Sequence, residues 1–380
     1  MQQDNKYVQK TSDAKGFWKK PPQLSHLWVE ITERCNNDCL HCYINRPEND
    51  TTSKVKEMEN SFIKSVLDQA CDLGCLSVSF TGGEPLLRPD FKDIYLYARE
   101  KGLRMTLFTN GRLIDKEWIE LLKTHPPGTP VELTTYGMTQ KTYDRVSQRA
   151  GAFVDFSRGL DLLKNNAIPF ALRMAVLKIN QHEIGLYRDW CKTNSQSQYL
   201  FICTLSLQSR RDNPVRNATI RKQRIEPLLA SQLLIGTANQ SELVKFCREH
   251  AGPMGSRLFN CGWGDEPAVD AYGFLQGCLM LRHPEFVFNL HTGRIKTALE
   301  GFFPRMKSRA TNNPEYLKKC GRCRFFGFCD QCPAMSYMEN GTLDTPVEYI
   351  CQLTRAQVNM FDIKATDDDY HHPLNIGYLI

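Results

Sequence analysis

At 380 residues the chain is long for one compact domain and suits one large domain with a small one beside it. With 41% hydrophobic and 24% charged residues its composition is ordinary globular, and a net charge of +6, much of it on Lys6, Lys10, Lys15, Lys19 and Lys20, does not imply nucleic-acid binding. Residues 1–22 lack the apolar core of a signal peptide and no run of about 18 apolar residues occurs, so the cytoplasm is expected and a membrane is not. In such a chain 15 cysteines fit metal binding or a reduced core better than a disulfide framework.

Residues 1–24 are mostly polar and run through Lys19, Lys20, Pro21 and Pro22, the composition of a disordered arm. From Ser25 short apolar segments alternate with amphipathic ones, the pattern of repeated β-α units around a parallel sheet. The pattern predicts strands near 26–32, 75–81, 104–109, 130–136, 169–177 and 199–205, with helices near 58–73, 90–101, 115–123, 153–164 and 184–193. Phe62, Val66, Leu67, Ala70 and Leu73 share one helix face, and Gly74 fits the stop behind them. Six units are too few for an eight-fold barrel, so the expected fold class is α/β with an open, partial (β/α)6 barrel over residues 25–225. A helical bridge at 226–260, a small cysteine-rich domain at 261–360 and a polar tail at 361–380 complete the expected organisation. Residues 208–225 hold six Arg or Lys, either a solvated crossover or a contact for an acidic partner.

Chemistry concentrates first at Cys35-x3-Cys39-x2-Cys42, directly after the first strand. A cubane iron-sulfur cluster takes four protein thiolates for full ligation, so a three-thiol loop leaves one iron for a ligand that is not protein. The competing reading is a zinc site closed by His41 or a remote ligand. Ligands of parallel α/β folds gather at the carboxyl ends of the strands, which is where this loop lies. Gly82, Gly83, Glu84 and Pro85 follow the second strand, where paired glycines would let backbone approach a ligand and a carboxylate would receive an ammonium group. Thr109 and Asn110 close the third strand, Thr134 and Thr135 the fourth, and Arg173 to Asn180 span the fifth and its exit. Their hydroxyl, amide and guanidinium groups suit hydroxyls and a carboxylate on a ligand. Each also has a bland reading, as a turn residue or a surface arginine.

A second cysteine system begins at Cys261 and continues through Cys278, Cys320-x2-Cys323-x5-Cys329-x2-Cys332 and Cys351. Two C-x2-C pairs alone would make a zinc ribbon, which leaves Cys261, Cys278 and Cys351 without a role. Cys71, Cys75, Cys191 and Cys203 share no spacing and read as core thiols.

The first loop with its Gly-Gly-Glu-Pro turn resembles the signature of the radical S-adenosylmethionine (SAM) enzymes. The seven later cysteines resemble the SPASM extension of radical SAM peptide maturases. Together the resemblance spans roughly residues 26–355. It implies SAM and one SAM-binding 4Fe–4S cluster on Cys35, Cys39 and Cys42, with SAM contacts from His41, Gly82, Gly83, Glu84, Pro85, Thr109, Asn110, Thr134, Thr135, Arg173 and Asn180. It also implies two auxiliary clusters, expected as 4Fe–4S: one on Cys320, Cys323, Cys329 and Cys351, the other on Cys261, Cys278 and Cys332. Some relatives take the last ligand from a cysteine six residues before the first, where this chain has Gly255. Cys247, His250, Asp265 or Glu266 would close the site instead, or an iron stays open.

The resemblance further implies reductive cleavage of SAM to a 5'-deoxyadenosyl radical, followed by hydrogen abstraction from a ribosomal peptide or protein. An oxidative modification results, with a thioether or other crosslink favoured. Leu279 stands where sulfatase-maturing relatives place an aspartate, which counts against formylglycine formation. A separate leader-binding protein and a flavodoxin- or ferredoxin-type electron donor are the expected partners. A small molecule or tetrapyrrole is the alternative substrate. A non-catalytic iron-sulfur or zinc protein is the alternative of another class.

Overall fold

A computed structural model describes residues 24–44, 46–194, 200–208, 213–235, 245, 254–259 and 261–361. The expected arm up to residue 23, most of the bridge beyond 235 with Cys247 and His250, and the tail from 362 lie outside the described residues.

Six parallel strands form where the alternation placed them: β1 (His26–Thr32), β4 (Ser77–Gly82), β5 (Arg104–Thr109), β6 (Val131–Thr135), β7 (Phe170–Ala175) and β8 (Leu200–Ile202). The pair β2 (Arg34–Cys35) and β3 (Arg46–Pro47) makes a separate two-residue ladder beside the first loop. Successive strand residues point to opposite sides. Leu27, Val29 and Ile31 of β1 therefore pack outward against Ile63, Val66, Leu67 and Ala70 of helix Asn60–Asp72. The alternate residues, such as Trp28, Thr81, Phe108 and Thr134, face the inside of the half-barrel.

The helices start and stop on local chemistry. Asp115 and Thr139 cap helices Lys116–Thr124 and Gln140–Ser147 by accepting from the N–H groups of Trp118 and Thr142. Gly74 and Gly102 end two helices at φ of +86° and +78°, a conformation a side chain would strain. Among the described residues no helix is long and apolar enough to cross a membrane.

Two departures from the expectation bear on the barrel. Helix Gln140–Ser147 was not expected; its buried Tyr143 and Val146 are too few to show as a periodic face. In addition, β9 (Ala268–Val269), β10 (Phe274–Gln276) and β11 (Val287–Asn289) extend the barrel sheet, giving the order β11-β10-β9-β1-β4-β5-β6-β7-β8. Of these only β11 falls on a stretch, Phe286 to Leu290, that reads as a short strand in the sequence, since strands of two or three residues carry no alternation to read. β9 runs parallel to β1, with Trp28 opposite Ala268. A buried ion pair between Arg282 and Glu30, 2.6 Å apart, ties the same region to the barrel interior.

Candidate active site

The first cysteine loop is held from several sides. Asn37 N–H points at Cys35 Sγ (3.4 Å), and Asn110 Nδ2 lies 3.7 Å from the same sulfur while donating to Asn36 Oδ1 at 2.7 Å. Arg112 donates to Asn36 O (2.6 Å) and Asn37 Oδ1 (2.8 Å). Arg216, from helix Pro214–Gln223, donates to Cys39 O (2.9 Å) and Asp38 Oδ1 (2.5 Å). That helix occupies part of the stretch expected to be a solvated crossover; Arg210 and Arg211 of that stretch lie outside the described residues.

The loop opens onto a cavity of about 410 Å³ at the strand ends. Of the expected site residues, Cys35, Cys39, Cys42, His41, Gly82, Gly83, Thr109, Asn110 and Thr134 line it. Trp28, Phe108, Tyr136, Thr204, Ser206, Leu279 and Met280 also line it and were not assigned to it. Tyr136 and Thr204 stood at strand ends already read from the sequence, a signal that could have included them. Leu279 and Met280 come from the far end of the chain, and only the sheet extension brings them here.

Glu84, Pro85, Thr135, Arg173 and Asn180 do not line the cavity, and the reasons are geometric. Glu84 is fully buried behind the wall, where its carboxylate accepts from Thr109 Oγ1 (2.7 Å), Asn110 N–H (2.8 Å) and Leu86 N–H (3.1 Å). Burial raises its pKa to about 7 against those bonds. Pro85 opens a 3-10 turn beneath it. Thr135 is turned away and donates to Gly137 O. Arg173 forks onto Glu132 of the neighbouring strand, at 2.5 and 2.8 Å. Asn180 is spent on the backbone of Leu177, Tyr136 and Ala175.

The paired glycines also serve a different contact from the expected one. A Cβ on Gly82 would sit 2.2 Å from Thr32 O, and one on Gly83 2.2 Å from Arg34 O. Gly83 N–H and Glu84 N–H donate to those two carbonyls, at 2.7 and 2.9 Å. The turn therefore locks against the backbone entering the cysteine loop, fixing the loop relative to the cavity floor.

The donor set fits a cluster and its ligand. Burial pushes the Cys35 and Cys39 thiols far above their usual range, so they ionise only where a cationic metal takes the charge. Burial lowers His41 to about 4, and its Nδ1 is buried without a hydrogen-bond partner among the described residues. A neutral imidazole thus faces the cavity with an unused polar atom.

The later cysteines form two groups. Cys320, Cys323, Cys329 and Cys351 enclose a gap of about 20 Å³ with Phe326 and Thr354. Burial raises Cys320 to about 12 and Cys323 to about 11. Cys332 is also raised to about 12, mainly by burial, with Cys278 and Cys261 close enough to add to the shift. Gly255 is backbone in the left-handed region at φ +63° and offers no side-chain ligand. Among the described residues no three His, Cys, Asp or Glu side chains converge on a single-ion site.

Comparison with known proteins agrees with this geometry. Residues 29–191 match the Radical SAM superfamily. That match takes in the three-thiol loop and most of the half-barrel, so this stretch carries a radical SAM domain.

The chain is 33% identical over 167 residues to the Fe-coproporphyrin III synthase of Methanosarcina barkeri, and 31% identical over 164 residues to the subtilosin biosynthesis protein AlbA of Bacillus subtilis. Each match covers 43% of this chain but only 39% and 36% of those relatives' lengths. An AdoMet-dependent heme synthase of M. barkeri is 25% identical over 82% of this chain and 92% of its own. The fold is that of Streptococcus suis SuiB bound to precursor peptide SuiA (TM-score 0.64, 17% identity, 90% of this chain and 79% of that one). It is also that of anSMEcpe with AdoMet and the Cp18Cys peptide (TM-score 0.60, 18% identity, 88% and 96%).

Proposed function

We propose that this chain cleaves SAM reductively and abstracts hydrogen from a ribosomally made peptide or protein, leaving an oxidative crosslink. In this reading Cys35, Cys39 and Cys42 hold the SAM-binding cluster, and His41, Gly82, Gly83, Thr109, Asn110 and Thr134 bound the space for SAM. Cys320, Cys323, Cys329 and Cys351 hold one auxiliary cluster, and Cys261, Cys278 and Cys332 the other. When bound, the cluster and SAM supply the electron and the carbon radical that attacks an unactivated C–H bond. The chain's residues position that chemistry: the Gly82–Gly83 lock fixes the loop, Trp28 and Phe108 wall the cavity against water, and Asn37 and Asn110 aim donors at Cys35 Sγ.

The observation that carries the proposal is that Leu279 and Met280, next to Cys278, line the same cavity as the first loop. A substrate there would touch both thiol systems. With Leu279 at the wall, no carboxylate is supplied at that point, which favours crosslinking over formylglycine formation.

Coverage of nearly a whole heme synthase favours a second reading, a tetrapyrrole substrate. A larger groove of about 890 Å³ is bordered by Arg46, Lys56 and Arg282 and by the buried carboxylates Glu33 and Asp270. Its mixed charges suit the donors and acceptors of a peptide. Anaerobically reconstituted enzyme with SAM and reductant should form 5'-deoxyadenosine and remove two hydrogens from a peptide encoded beside it. Turnover of Fe-coproporphyrin III with no change in any such peptide would select the second reading.

A further inference from the structure

The last barrel strand, β8, leads into Thr204, Leu205 and Ser206, which all line the cavity. The carbonyl of Leu205 is held by Arg224, whose Nε and Nη2 donate to it at 3.1 and 2.8 Å. Arg224 directly follows helix Pro214–Gln223 and is one of the six cations of residues 208–225. It is only 7% exposed, which a solvated crossover does not explain.

The same guanidinium reaches two segments of the cysteine-rich region. Its Nη2 also donates to the Glu339 carboxylate, in the last turn of helix Pro333–Asn340, whose N-cap is Cys332. Its flat face lies 4.9 Å from the centre of the Tyr349 ring, two residues before Cys351 on helix Glu348–Met360. Tyr349 Oη donates back to Ile225 O at 3.2 Å, which closes the contact around Arg224. Glu339 takes a second cation, Arg221, at 3.3 Å, but that side chain is 47% exposed and its guanidinium also donates to Glu339 O. A lysine could not replace Arg224 here, because one ammonium lacks both the fork that spans a carbonyl and a carboxylate and the face that stacks on a ring.

We propose that Arg224 is a positioning residue for the reaction: it joins the Thr204–Ser206 wall to the segments of Cys332 and Cys351, so that a substrate carbon beside SAM keeps a fixed place against the auxiliary thiols. Arg224 acts through Leu205 O and Glu339, touching neither SAM nor substrate. The proposal rests on the reading of the cavity as the site of SAM and substrate. A wall free to drift by about an ångström still permits SAM cleavage but presents the substrate carbon out of line. The 5'-deoxyadenosyl radical then ends as 5'-deoxyadenosine by taking its hydrogen atom from a buffer molecule, and the peptide is left unmodified.

The test uses the full chain loaded with its clusters, with SAM, dithionite and a synthetic copy of the peptide encoded beside it. Two quantities are read in wild type, Arg224→Gln, Arg224→Lys and the control Arg221→Gln: 5'-deoxyadenosine formed per modified peptide, and amide hydrogen exchange over residues 200–208 and 333–340. In Arg224→Gln the ratio should rise about tenfold or more at the wild-type iron content, with faster exchange in both segments. Arg224→Lys keeps a cation for Glu339 and should restore slow exchange over 333–340, yet leave exchange over 200–208 and the ratio raised. Arg221→Gln should leave the ratio nearly unchanged. A wild-type ratio in both Arg224 variants reduces Arg224 to a structural contact and overturns the proposal. Wild-type exchange over 200–208 in both, or an equal rise of the ratio in Arg221→Gln, overturns it as well. Should Arg224→Gln lose iron, Arg224→Lys decides by the same criteria. Wild type that forms no 5'-deoxyadenosine, or leaves the peptide unchanged, removes the reading of the cavity instead, and the exchange measurements then decide the link through Arg224 by themselves.

Discussion

The first cysteine loop and the four-thiol box near the C-terminus are both built from closely spaced thiols, but one is open and the other closed. Cys35, Cys39 and Cys42 stand over a cavity of about 410 Å³ with polar and glycine backbone along its wall, whereas Cys320, Cys323, Cys329 and Cys351 face about 20 Å³ beside Phe326. A site that must admit a ligand is made from loops at strand ends, held by side-chain bonds from neighbouring elements. A site that only holds metal and passes electrons is complete once four thiolates surround it. The third group, with Cys261 exposed and Cys278 beside the cavity, is intermediate between them.

Substitutions in the thiols break this comparison most strongly. Cys35→Ala, Cys39→Ala or Cys42→Ala should each abolish 5'-deoxyadenosine formation and remove about four irons per chain. Cys323→Ala should disturb one auxiliary cluster and spare SAM cleavage in the absence of substrate. Iron analysis and product chromatography read both outcomes.

The link between the two regions comes next. Arg282→Ala removes the cation facing the Glu30 carboxylate, whose side chain has 0% exposure, and should destabilise the protein by about 3–5 kcal/mol in urea unfolding. Glu30→Gln with Arg282→Met should recover most of that loss.

Gly83→Ala should cost about 1–3 kcal/mol through overpacking against Arg34 O, and should also loosen the loop so that cluster loading falls. The same clash at Gly82 is aggravated by its φ of +123°.

Glu84 gives a smaller effect, in pH. Its folded pKa of about 7 lies above the 4.5 usual for a glutamate, so the folded apo protein binds the extra proton between those values. Stability should therefore fall as pH rises from 4.5 towards 7, and Glu84→Gln should flatten that slope in unfolding curves. At the small end, Glu117→Ala on the exposed Lys92 pair should change stability by less than about 1 kcal/mol.

Much of the half-barrel was legible in the sequence because its strands are long enough to alternate and its helices carry an apolar face. The two later thiol groups followed from the family resemblance; Cys320, Cys323, Cys329 and Cys351 line one small gap. What could not be read depends on register and on distant chain. Arg173 looked like a carboxylate ligand, but its diagonal reach to Glu132 follows from the pairing of β6 with β7, which places Thr134 opposite Arg173. Glu84 looked like a cofactor contact, but Thr109 and Asn110 arrive from β5 to claim both of its oxygens. The glycine pair was legible as a close approach, though the partner is the chain's own backbone at Thr32 and Arg34. Leu279 and Met280 entered the cavity only through the short strands β9 and β10, which leave no periodic trace.

The central claim is that the first loop leaves one cluster corner open towards the cavity for SAM. Mössbauer spectra of anaerobically loaded protein, recorded with and without SAM, test it most directly. About twelve irons per chain should be found, with a single site in one cluster shifting when SAM is added. Zinc bound by Cys35, Cys39 and Cys42, or a fully loaded protein in which no iron responds to SAM, would contradict it.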